Sequence, residues 1–153
     1  MDEASVTIAA APERVWALVT DITAMGKWSP GSTGGKWILG ASGPALGARF
    51  VGFNRRGLAR WVTTCKVIEC EESSRFAFQV NENKMQWGWR IEPGEDGGTL
   101  LTQWRNRVGE PAAPVRMAAN LLFRGKLDEE MVDGMSATLA AVKAEAEGTP
   151  ATT

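Results

Sequence analysis

The sequence predicts an α+β domain: an antiparallel sheet of about seven strands curled around a long C-terminal helix, with two short helices between strands 1 and 2. Three observations in the 153 residues predict it. Apolar and polar residues alternate at a period of two from Ala48 to Gly109. The run from Pro114 to Glu147 holds no further proline and repeats apolar residues at helical spacing. The connections between the alternating segments are short and rich in turn residues, which joins consecutive strands as an antiparallel meander.

Ser5 to Ala9 alternates Val6 and Ile8 with small or polar residues and reads as the first strand. Ala10-Ala11-Pro12 ends it, and Pro12 with Glu13 suits a helix N-terminus. Val15, Trp16, Leu18, Val19 and Ile22 form an apolar face. Asp21 begins a second short helix that ends near Lys27-Trp28-Ser29-Pro30. Ser29 to Gly47 is glycine-rich and reads as a surface loop holding a short strand at Trp37-Ile38-Leu39. A flap over a ligand entrance is the sharper alternative for this stretch. Five strands follow, near 48–55, 59–70, 75–81, 85–92 and 99–108. Arg56-Gly57, Glu71-Glu72-Ser73-Ser74, Asn81-Glu82-Asn83 and Gly94-Glu95-Asp96-Gly97-Gly98 supply their turns.

In the C-terminal run, Leu127, Met131, Met135, Leu139 and Val142 share one face. An unbroken helix there would be about 50 Å long at 1.5 Å per residue. A chain of this size has a radius of gyration of about 15 Å. The helix therefore spans the domain or bends at Gly125. Residues 1–148 are expected to form a single domain and 149–153 a disordered tail.

Composition narrows the function. The net charge of −1 gives no overall field toward nucleic acid or an anionic membrane, and no nucleic-acid partner is expected. No apolar run is long enough for an integral membrane segment. The acidic Met1-Asp2-Glu3 start lacks a signal-peptide pattern, so the expected location is cytoplasmic. With no histidine, His-based triads, His bases and His metal ligands are excluded; with no tyrosine, so is a phenolic acid. Cys65 and Cys70 lie five apart in one strand and are expected on opposite faces as free thiols, which leaves no metal site. Gly35-Lys36 is not a phosphate loop, because Trp37 follows where Ser or Thr is needed. No cofactor is expected.

Alternation sorts the strand residues onto two faces. One collects Phe50, Gly52, Asn54, Trp61, Thr63, Cys65, Val67, Phe76, Phe78, Val80, Trp87, Trp89, Ile91, Thr102, Trp104, Asn106 and Val108. The other collects Arg60, Thr64, Lys66, Gln79, Gln86, Gly88, Arg90, Gln103, Arg105 and Arg107, and should meet water. Seven tryptophans among small polar residues are poor material for a tightly filled core. Aromatic walls with a few fixed polar groups are typical of small-molecule pockets. An aromatic core is the plain alternative.

The order of these pieces resembles the START-like helix-grip superfamily (SRPBCC), in a bacterial polyketide cyclase/dehydrase-type form. The resemblance covers Val6 to Glu147. It rests on Ala11-Pro12-Glu13-Arg14-Val15-Trp16 opening the first helix and Trp28 closing the second. It rests also on Phe50 to Gly57 with Trp61, the Gly97-Gly98-Thr99 turn, and Gly134-Met135 followed by Leu139 and Lys143. The resemblance implies a deep hydrophobic cavity between sheet and long helix. It does not imply a reaction, because this fold hosts carriers, enzymes and regulators.

The expected function is binding of a small hydrophobic ligand, such as a lipid, polyketide or aromatic metabolite. Trp28, Phe50, Trp61, Phe78, Trp87, Trp89 and Trp104 are the expected aromatic wall. Met117, Leu121, Met131 and Met135 are the wall expected from the C-terminal run, with Asn54 and Asn106 orienting the ligand's polar end. The alternative is a polyketide cyclase or dehydrase using polar groups in the same cavity. That needs an ionisable side chain such as Asp21 or Glu69 turned inward, and no catalytic residue is assigned. A third reading, an interaction or stress-response module, would need an exposed apolar patch. Monomer and homodimer both stay open.

Overall fold

The period-two stretch folds into five strands: β3 (Arg49–Arg56), β4 (Ala59–Glu71), β5 (Arg75–Val80), β6 (Met85–Pro93) and β7 (Thr99–Arg107). The computed structural model describes residues 1–148, so the tail expected at 149–153 lies outside the described residues. β1 (Asp2–Ile8) precedes α1 (Pro12–Val19) and a short 3-10 helix at Ile22–Lys27. Pro12 starts α1, where its missing N–H costs nothing. The Asp21 carboxylate accepts from the Thr23 backbone N–H and caps the 3-10 turn. β2 (Ser32–Ile38) is longer than the strand expected around Trp37, and it claims much of the stretch expected as a loop.

All seven strands form one antiparallel sheet in the order β1-β7-β6-β5-β4-β3-β2. Its concave face closes on α1 and the C-terminal helices. Val15, Ile22, Phe50, Val67, Phe76, Leu101 and Val142 are fully buried between the layers. The long helix is broken where the glycine allowed it to be. α2 (Ala113–Phe123) and α3 (Leu127–Glu147) meet at Arg124 and Gly125, both at positive φ. α3 lies against β1, β7 and α1, and Met135, Leu139 and Val142 of the expected stripe are buried.

Two face assignments are corrected by register. In β7, Trp87 of β6 pairs with Arg105 and Trp89 with Gln103. Partners in an antiparallel ladder share a face. Gln103 and Arg105 therefore point into the concave side, while Thr102, Trp104 and Asn106 lie on the convex side. Trp104 lies over Gly88, its cross-strand partner, where any Cβ would collide with the indole ring. In β4, a register shift between Val67 and Glu69 brings Cys70 opposite Phe76. The bulge turns Cys70 onto the Cys65 face rather than the opposite one, and both thiols are free.

Candidate functional site

The concave aromatics divide by how deeply the fold covers them. Phe50 stands edge-on to Trp37 and Phe78, with ring centroids 5.4 and 5.1 Å apart. Phe50, Trp28, Trp89 and Met135, all expected against ligand, are buried. Trp61, Phe78, Trp87 and Met131 also belong to the inward side but remain only half-buried. Asn54 stands among them. Its amide donates to Thr63 Oγ1 at 3.3 Å and to the Gly52 and Trp61 carbonyls at 3.4 Å. These bonds are longer than the usual N–H···O range and leave the amide a weakly held donor.

Two expected wall residues are placed elsewhere. Met117 and Leu121 lie four apart on the outer surface of α2, at 68% and 82% exposure. The helix turns them outward because Phe123 is the residue it buries. Phe123 meets Trp61 edge-on at 6.2 Å, and Arg56 stacks over it at 4.9 Å. Arg56 also donates to both oxygens of Glu130, at 2.6 and 3.2 Å, and ties the start of α3 to the β3–β4 hairpin. Trp104 and Asn106 also leave the aromatic wall, through the register of β7.

At the other end of α3's first turns a cavity of about 670 Å³ opens among β1, β6, β7 and α3. Met85, Asp2, Arg105, Arg107, Asp128 and Val132 are among its walls, and Asn106 lines it too. Arg105 is one of its walls. The side chain is only 3% exposed. It donates to Asp2 and Asp128 at 3.0 Å each, and its guanidinium sits 5.4 Å from the Trp87 ring. Its Nε and the Oε1 of Gln103, two residues earlier on the same face, have no hydrogen-bond partner among the described residues. A buried orphan of this kind costs about 1–3 kcal/mol. A second opening of about 520 Å³ lies beside Arg14, Lys27, Trp28 and α3's last turns.

Sequence reasoning assigned Arg105 to water because an alternating Arg in a strand usually meets it. Its two counter-ions come from the chain start and from α3, and nothing local announces them. Arg105, with help from Arg107, holds the Asp128 carboxyl below its ordinary range. Burial pushes the Cys65 thiol up to about 12, which makes it an inert neutral group. Asp21 is exposed, and Glu69 pairs with Ala77 on the convex side, so neither supplies an inward acid. Among the described residues, no three His, Cys, Asp or Glu side chains group to hold a metal, and no helix is long and apolar enough to cross a membrane.

A curved sheet gripping a C-terminal helix, with aromatic and polar groups facing the space between, defines a helix-grip protein of the START-like class. The chain belongs to the family described as polyketide cyclase / dehydrase and lipid transport, whose model matches residues 3–147. No curated protein matches it. Among solved structures, the polyketide-cyclase-like protein Cgl2372 from Corynebacterium glutamicum is similar at 29% identity and TM-score 0.63, covering 99% of this chain and 96% of that one. A START superfamily protein from Mycobacterium smegmatis shares the fold at 20% identity and TM-score 0.67, covering 95% and 96%. The di-domain ARO/CYC StfQ from the steffimycin biosynthetic pathway does so at 12% identity and TM-score 0.68, with 96% of this chain matching 44% of that one.

Proposed function

We propose that the protein binds a small, largely hydrophobic molecule along the strip formed by Trp61, Phe78, Trp87 and Met131, with the molecule's polar end at Arg105. The observation that carries this reading is the incomplete burial of those inward side chains. Covered by a ligand, each would contribute about 25 cal/mol per Å² of apolar area removed from water, before ordering costs. Trp87 joins the strip to the polar cavity, because its ring lies under the Arg105 guanidinium. The cavity of about 670 Å³ has room for the polar end alone, because the four strip residues are not among its walls. The Nε–H of Arg105 is enclosed and has no partner, so a carbonyl, carboxylate or hydroxyl oxygen that displaced the side chains around it would find a donor there.

That same donor favours one second reading. A buried guanidinium N–H beside a bound polyketide could stabilise an enolate, as a cyclase or dehydrase requires. One experiment addresses both. Intrinsic tryptophan fluorescence is titrated with a panel of lipids, polyketide mimics and aromatic acids, and the recovered compounds are weighed by mass spectrometry. Quenching with the compound recovered unchanged in mass and in chromatographic retention is expected for a carrier, and Trp87→Ala is expected to weaken binding about tenfold, the loss of about 1.4 kcal/mol of apolar contact. A lost water, or an isomer of unchanged mass that separates from the starting compound on chromatography, would support the enzyme. No response from any compound would overturn both readings.

A further inference from the structure

We propose that the convex face of β2, β3 and β4 docks on an anionic lipid bilayer. The near-zero net charge of the chain conceals a strong segregation. The ladder register places Arg49 directly opposite Lys66 and Arg55 directly opposite Arg60. Lys36 joins them from β2, opposite Val51. All five cations are exposed, and none has a salt-bridge partner among the described residues. Like charges directly across a ladder destabilise a sheet. Two such pairs on adjacent strands are a cost that an anionic partner would relieve.

Between the two pairs stand Phe53 and Val62, also directly opposite each other, at 38% and 52% exposure. Successive same-face positions on a strand are about 7 Å apart. The face therefore presents an apolar centre with cations at both ends, spread over about 20 Å. Fully exposed Leu58 extends it at the hairpin tip. The anionic neighbours lie at one border. Glu82 is engaged with Thr64 through its backbone N–H and hydroxyl, and Glu69 lies beyond Lys66 on the same face.

The apolar centre decides the partner. Binding of a single-stranded nucleic acid uses several aromatic platforms along a basic track. Here Phe53 is the one aromatic among these cations, and its companions are aliphatic. Aliphatic groups beside Lys and Arg suit the boundary between headgroups and acyl chains. The face is distinct from the concave strip and independent of whatever that strip binds.

The test uses the full chain, sedimented with vesicles of phosphatidylcholine alone or mixed equally with phosphatidylglycerol. Binding is expected to the mixed vesicles and to be lost at high salt. Each neutralised cation should weaken it about fivefold, so Arg55→Ala with Arg60→Ala should weaken it roughly 25-fold. Phe53→Ser should also weaken it, and Arg116→Ala, on α2, should not. Removing a like-charge pair should leave the melting temperature unchanged or higher. Should the double variant melt early, Lys66→Gln gives the same reading at about fivefold. The proposal is overturned by no sedimentation with either vesicle, by equal binding to both, or by equal loss from Arg116→Ala. Tighter capture of polyuridylate than of the mixed vesicles would overturn it in favour of nucleic acid.

Discussion

Burying a guanidinium is costly unless its charge is met, and Arg105 is met by Asp2 and Asp128. The Asp2 carboxylate is partly and the Asp128 carboxylate largely in solvent, so each bond is screened and worth about 1 kcal/mol rather than the value of a dry pair. The sign of the pH effect follows from Asp128. Its folded-state carboxyl lies below the ordinary value of 3.8. Such a group contributes stability that is fully present above the ordinary value and is lost as pH falls through the depressed one. Asp128→Asn is therefore expected to lower stability at neutral pH by about 1 kcal/mol and to leave little difference from the parent in strong acid. Urea titrations across pH 2 to 7 read this directly. A constant gap at all pH values would show that the Asp128 charge is not the cause. The same residue shows where sequence reading stops. An Arg directly after an apolar-looking Trp reads as solvent-facing until its partners, 103 and 23 residues away, are placed beside it.

At the scale of elements, what could be read were features with local causes. Pro12 marked the start of α1, Asp21 the cap of the 3-10 turn, and Gly57 the β3–β4 turn. Faces were legible in β5 and β6, where bulky residues really do alternate inward, and in β3, where Phe50, Gly52 and Asn54 share the inward face. They were misread where a bulge or a buried charge interrupts the pattern, in β4 and β7. The bend between α2 and α3 was legible as an alternative because Gly125 interrupts a run of helix formers. Gly125 has φ of +75° with open space where a Cβ would go, so only backbone strain opposes a side chain there. Gly125→Ala should cost about 1 kcal/mol. Arg124 adopts φ of +53° without glycine's freedom. Arg124→Gly should be neutral or stabilising by up to about 1 kcal/mol. Thermal melts should show Gly125→Ala lowered and Arg124→Gly unchanged or raised. A shared direction would mean that the bend is set by the Arg56, Phe123 and Glu130 contacts rather than by the linker's backbone.

At the scale of the whole molecule, α3 is fastened at both ends, and between them Met135, Leu139 and Val142 are buried against the sheet and α1. At the start, Arg105 and Arg56 hold Asp128 and Glu130. At the finish, Lys143 donates to the Thr7 carbonyl at 2.7 Å, Glu147 accepts from the Ala9 N–H at 2.8 Å, and Arg14 donates to the Ala146 carbonyl at 2.8 Å. The half-buried strip lies beside the first of these fastenings, because Met131 follows Glu130. A ligand seated there would touch the sheet and α3 together, binding the folded chain and not the unfolded one. At a hundred times its dissociation constant such a ligand adds about 2.7 kcal/mol. For a domain of this size that raises the melting temperature by about 5–10 °C. The shift should grow with the logarithm of ligand concentration and should shrink in Trp87→Ala. A compound that quenches tryptophan fluorescence but leaves the melting temperature fixed at saturation is not binding the folded state in preference to the unfolded chain, and the strip would then have to be read as an unfilled edge of the core.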